Sequence, residues 1–94
     1  MGYLLIRHEV NDFDKWKMVY DEHKSARDKA GLSELYLFQN KYNHNEVVLL
    51  FEAENDHRAQ DFIESEDLKK AMERAGVVGE PEIRMLEGES AHVQ

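Results

Sequence analysis

A chain of 94 residues with 41% hydrophobic and 34% charged side chains fits one soluble globular domain and excludes a disordered chain. Its net charge of −8 argues against nucleic acid or an anionic membrane as a partner, since both demand a basic surface. Without cysteine there is no disulfide and no thiolate chemistry, and a cytoplasmic location is expected.

The N-terminus runs straight into Tyr3-Leu4-Leu5-Ile6, with no basic segment of a signal sequence ahead of it, and Tyr3 to Val10 reads as a first strand. Asp12 is placed to cap a helix, because its side-chain oxygen can accept from first-turn N–H groups that lack partners. Phe13, Trp16, Tyr20, His23, Arg27 and Ala30 then recur at steps of three and four, the spacing of one helix face. Lys24, Arg27 and Lys29 suit the negative end of the helix dipole, and Gly31 supplies a left-handed stop. One helix of about 28 Å is expected, with Phe, Trp, Tyr and His along one line.

Leu32 to Asn40 reads as a second strand, Lys41 to Asn45 as a turn, and Glu46 to Glu54 as a third strand centred on V-V-L-L-F. That run, Val47 to Phe51, is far too short to cross a bilayer. Asn55-Asp56 can cap a second helix with a stripe of Ala59, Phe62 and Ile63. Ser65 recaps it, Leu68, Ala71, Met72 and Ala75 continue it, and Gly76 stops it. Val77 to Pro81 reads as a connector, Glu82 to Glu87 as a fourth strand, and 88–94 as a polar tail after a single domain over 1–87.

The order β-α-β-β-α-β is that of an α+β, ferredoxin-like fold: an antiparallel sheet in the order 4-1-3-2 with both helices on one face. Alternation puts Leu4, Ile6, His8, Val10, Val47, Leu49, Phe51, Ala53, Ile83 and Met85 on the helix side. The other face carries Leu5, Val48, Leu50 and Leu86 among Arg7, Glu9, Glu52 and Arg84. It is too apolar for water and too charged for a monomer core, so a homodimer packed sheet to sheet is expected, its charges paired with one another.

His8 alone breaks the apolar pattern of the helix side, and the long helix points Trp16, Tyr20 and His23 at it. Two imidazoles and two hydrogen-bonding aromatics suit a pocket for a small hydrophobic or aromatic molecule, with a neutral histidine as proton acceptor. The same residues also suit a plain core, each histidine bonded to Tyr20 or to a backbone carbonyl. No metal-ligand spacing is present, and His44 and His57 fall at surface positions. The acidic runs Glu64-Ser65-Glu66-Asp67 and Glu87-Gly88-Glu89 read as solvated faces.

Leu4-Leu5-Ile6-Arg7-His8, then Asp12-Phe13-x-x-Trp16-x-x-x-Tyr20-Asp21-x-His23-x-x-x-Arg27-x-x-x-Gly31, resembles small members of the dimeric α/β-barrel superfamily. These are grouped with antibiotic biosynthesis monooxygenase-like and polyketide cyclase-like proteins. Glu46-Val47-Val48 and Ser65-x-Asp67-Leu68-x-x-Ala71-Met72-x-x-Ala75-Gly76-Val77 extend the resemblance over nearly the whole chain. It implies a cofactor-independent monooxygenase or cyclase acting on a small aromatic or polyketide-like metabolite. His23 or His8 would be the base, Trp16 and Tyr20 would line the substrate, and no cofactor or metal would be needed. A dimeric binder without turnover is the alternative. Where monooxygenase-type members carry an aromatic after the strand-three glutamate and histidines in the second helix, this chain has Glu54, Phe62 and Asp67.

Overall fold

The chain's computed structural model describes residues 1–89 and keeps the expected order of elements, with the second helix recapped at Ser65 as expected and the first divided in two against expectation. Strand β1 (Gly2–Val10) leads into α1 (Phe13–Glu22) and α2 (Lys24–Lys29). Strands β2 (Leu32–Asn40) and β3 (Asn43–Ala53) form a hairpin, followed by α3 (Asp56–Ile63), α4 (Glu66–Ala75) and β4 (Val77–Glu87). The four strands pair antiparallel in the order β2-β3-β1-β4, which is the expected 4-1-3-2 read from its other edge.

The caps follow the sequence. Asp12 accepts from the Lys15 amide at 3.2 Å, Asn55 from Arg58 at 2.9 Å and Ser65 from Leu68 at 3.1 Å. Gly76 closes α4 in the left-handed conformation, with φ of 81°, and its carbonyl takes the Asn11 amide at 3.1 Å. That bond ties the end of α4 to the end of β1.

Three boundaries differ from expectation. The first helix is interrupted at His23, whose amide is shared between the Val19 and Tyr20 carbonyls. An unbroken helix would give the Tyr20 carbonyl to the amide four residues on. Here Arg27 Nη1 also donates to it, at 2.7 Å, so a long side chain replaces part of the helical ladder. Strand β3 starts three residues early, at Asn43, because the hairpin turn needs only Lys41 and Tyr42. Strand β4 starts at Val77 rather than Glu82, so the expected connector is strand. Its pairing with β1 slips between Arg7 and Glu9, leaving Gly79, Glu80 and Pro81 opposite His8. A bulge tolerates a proline that cannot donate to the ladder, and Gly79 takes the positive φ of 73° there. Of the tail over 88–94, the Gly88 amide bonds the Met1 carbonyl at 3.2 Å, and the part from Ser90 onward lies outside the described residues.

The helix-side set is buried as alternation requires: Leu4, Ile6, Val10, Val47, Leu49, Phe51 and Ala53 form the core with Trp16, and Ile83 and Met85 pack on it. The opposite face is left uncovered by this chain. A second bulge, at Leu35, reverses the parity of β2, so Tyr36 and Phe38 join Leu50 and Val48 on that face. They stack at 5.2 Å between centroids and remain 59% and 48% exposed. Of the charges expected to pair with one another on this face, Arg7 and Glu9 do so at long range, and both arginines take nearer partners outside that set. Arg7 takes Glu46 at 2.6 Å, with Glu9 only at 3.8 Å, and Arg84 takes Glu82 at 2.8 Å. The Arg7 guanidinium and the Asn40 amide together hold the Glu46 carboxyl below the usual carboxylate range.

A side chain at position 76 would have to adopt the left-handed region and press on the Asn11 side chain. Gly76→Ala should therefore lower unfolding stability by about 1–2 kcal/mol, read as a lower urea midpoint at unchanged slope.

Candidate functional site

Between the helices and the sheet lies an apolar cavity of about 50 Å³. His8 and Ile6 reach it from β1, Trp16, Val19 and Tyr20 from α1, His23 from the break and Arg27 from α2. Phe62, Leu68 and Met72 close it from α3 and α4. All four residues singled out in the sequence thus line one cavity. Its size suits water-sized groups, being about a third of the ~150 Å³ that takes up benzene in an engineered core.

The aromatic residues form a file. The His8 ring meets Trp16 edge-on, with centroids 5.6 Å apart and planes at 76°. Trp16 stacks on Tyr20 at 4.8 Å and 17°, and the Arg27 guanidinium lies 3.7 Å above the Tyr20 ring. Helical spacing of four puts Trp16 and Tyr20 one above the other, and the break at His23 lets Arg27 fold back over them. The Tyr20 hydroxyl donates to Glu34 on β2 at 2.6 Å. Burial, reinforced by that bond, pushes the Tyr20 phenol well above its usual range. Tyr20 is therefore a fixed wall, not a proton carrier.

His8 is 3% exposed, and neither ring nitrogen has a hydrogen-bond partner among the described residues. The bond to Tyr20 or to a carbonyl that a plain core would provide is not made, since Tyr20 is turned to Glu34. Burial, with a smaller contribution from the Arg7 charge, brings the His8 imidazole down to about 4.

His23 is differently placed. Its Nε2 lies 2.7 Å from Asp67 Oδ2 in the first turn of α4, and its ring rests on Phe62 at 5.9 Å. A neutral imidazole donating Nε2–H to the carboxylate leaves Nδ1 as the basic nitrogen. His23 and Phe62 also border an outer groove of about 630 Å³ with Lys29, Arg58, Asp61, Ser65 and Asp67, so they stand between cavity and surface. Sequence reasoning missed Arg27 and Asp67. Arg27 lay on the same three-and-four stripe as Trp16 and Tyr20 but reads there as a dipole charge. Asp67 sits in an acidic run that looks solvated, and its carboxylate is indeed largely exposed. Among the described residues no three His, Asp or Glu side chains gather as a metal site.

No family profile and no curated protein sequence matches the chain. Solved structures match it in shape. SnoaB, a cofactor-independent oxygenase from Streptomyces nogalater, superposes with a TM-score of 0.77 at 9% identity, covering 99% of this chain and 97% of that one. A candidate antibiotic biosynthesis monooxygenase from Bordetella bronchiseptica gives 0.75 at 12% identity over 95% and 97%. One from Deinococcus radiodurans gives 0.69 at 11% identity over 100% and 99%. The chain has the fold of the antibiotic biosynthesis monooxygenase-like proteins. In the monooxygenase-like fold of this chain, the helix positions expected to depart from the resemblance, Phe62 and Asp67, are those that meet His23. No helix among the described residues is long and apolar enough to cross a membrane.

The buried imidazole makes stability depend on pH. Folded His8 titrates near 4 and unfolded histidine near 6.5, so between these values the unfolded chain binds the extra proton. This contribution is present above about 6.5 and falls away as pH drops towards 4, by at most about 3 kcal/mol. Urea unfolding at pH 7 and pH 5 should show that loss in the wild type, and His8→Leu should reduce it.

Proposed function

We propose that this protein is an enzyme of the cofactor-independent monooxygenase or cyclase type, acting on a small aromatic or polyketide-like molecule. One observation carries the reading: a buried histidine with two unpartnered nitrogens faces an apolar cavity that a second histidine, oriented by a carboxylate, also lines. Unpaired buried polar atoms are costly, and a ligand hydroxyl or carbonyl on His8 would satisfy them. The fold shared with SnoaB supports the same class of chemistry.

The two histidines then divide the work. His8, near 4, is too weak a base at neutral pH and serves as a hydrogen-bonding anchor. His23, paired with Asp67, takes the proton of an acidic C–H or phenol O–H onto Nδ1. The enolate or phenolate so formed attacks a carbonyl to close a ring, its new alkoxide recovering the proton, or adds dioxygen at a CH carbon to give a hydroperoxide that loses water and leaves a carbonyl, the substrate itself supplying the electrons. Entry of a ring requires the cavity to widen. The wall of Phe62, Leu68 and Met72 straddles the break between α3 and α4, where no continuous helix resists movement. A second reading, a dimeric binder without turnover, is favoured by the weak basicity of His8.

Oxygen uptake and cyclised product should be followed with a panel of polycyclic phenols and 1,3-diketones. His23→Ala should lower turnover about 10²–10⁴-fold while binding, read from Trp16 fluorescence, is kept. Binding throughout the panel with no turnover by the wild type would leave the second reading in place.

The proposal includes a homodimer across the open sheet face, where Leu5, Val48, Leu50, Leu86, Tyr36 and Phe38 come together. Contiguous apolar surface of this kind is unusual on a free monomer. Light scattering at micromolar concentration should give twice the chain mass, and Leu50→Arg should halve it.

A further inference from the structure

Arg27 is 8% exposed, and none of the ion pairs among the described residues includes it, in a chain with 20 acidic and 12 basic side chains. A buried cation is normally paired, because desolvation costs more than scattered dipoles return. Its known support is the Tyr20 carbonyl on Nη1 at 2.7 Å and the Tyr20 ring beneath it at 3.7 Å. Both contacts orient the guanidinium plane without neutralising its charge. The same side chain lines the cavity that His8 also lines, and neither His8 ring nitrogen has a partner among the described residues. At opposite ends of the Trp16–Tyr20 stack there are thus a fixed cation and a neutral imidazole that can donate or accept.

We propose that Arg27 is the anion-recognising residue of this cavity. The ligand class is then a flat aromatic with an anionic oxygen, a carboxylate or an ionised acidic hydroxyl, that sits on the guanidinium. With the cavity widened at the wall of Phe62, Leu68 and Met72, the ligand's ring lies along Trp16, and a hydroxyl or carbonyl at its far end meets His8. A planar fork with donors to spare matches a carboxylate better than a point charge would, and charge-assisted bonds are roughly twice as strong as neutral ones. The inference rests on the reading of the cavity as a ligand site and adds the charge of the ligand.

The probes are 4-hydroxybenzoate and its neutral isostere 4-hydroxybenzamide, titrated near pH 7 against the fluorescence of Trp16, the single tryptophan. The acid should bind about ten-fold or more tightly than the amide, and Arg27→Met should remove that preference. Equal binding of the two by the wild type overturns the role of Arg27 and leaves the ligand site standing. Binding of neither overturns both. The wild-type comparison decides the matter even where Arg27→Met does not fold, and Arg27→Lys, which keeps the charge and loses the fork, should retain only part of the preference.

Discussion

The stack of Trp16, Tyr20 and Arg27 over the sheet is the contact on which the rest of the structure depends. Arg27 reaches the Tyr20 carbonyl only because the helix is broken at His23, and the break is in turn stabilised by that bond. It leaves His23 between α1 and α2, where Asp67 of α4 meets it. One substitution of side-chain donor for backbone donor thus sets the shape of the helical layer. It also defines the cavity, since Trp16, Tyr20, His23 and Arg27 all line it.

Both helical segments of the layer are interrupted, and the interruptions face one another. Ser65 caps α4 through its hydroxyl while donating to the Phe62 carbonyl, so it ends one helix and begins the next. Phe62 and Asp67 flank that junction and are the residues against His23. The boundary between the inner cavity and the outer groove is therefore made of helix ends. Helix ends yield more readily than helix middles, because fewer backbone bonds must be broken to move them.

The sheet serves two surfaces with different chemistry. On the helix side a single imidazole interrupts an otherwise apolar face, and its nitrogens are left without partners. On the open side apolar side chains alternate with ion pairs, and the bulge at Leu35 adds two stacked aromatics to them. Period-two alternation lets one strand carry both surfaces, so Arg7 and His8 sit side by side in the chain yet face opposite layers. The Arg7 charge is still felt through the sheet, where it adds to the burial that keeps His8 neutral.

The sequence by itself determined the order of strands, their pairing, the caps at Asp12, Asn55, Ser65 and Gly76, and the apolar face of the sheet. Each of these follows from short-range spacing and from the chemistry of single residues. It also placed His8, Trp16, Tyr20 and His23 on facing surfaces, since two periodicities suffice to sort them. Tertiary structure alone decided the break at His23, the bulges opposite His8 and at Leu35, and the partners of Arg27 and Asp67. Those depend on which donor reaches which carbonyl or carboxylate once the layers are packed. Residues 44 positions apart, such as His23 and Asp67, leave no periodic trace of their meeting. The state of His8 was decided the same way: an imidazole on an apolar face finds a partner or is left without one according to where its neighbours turn, and Tyr20 turns to Glu34.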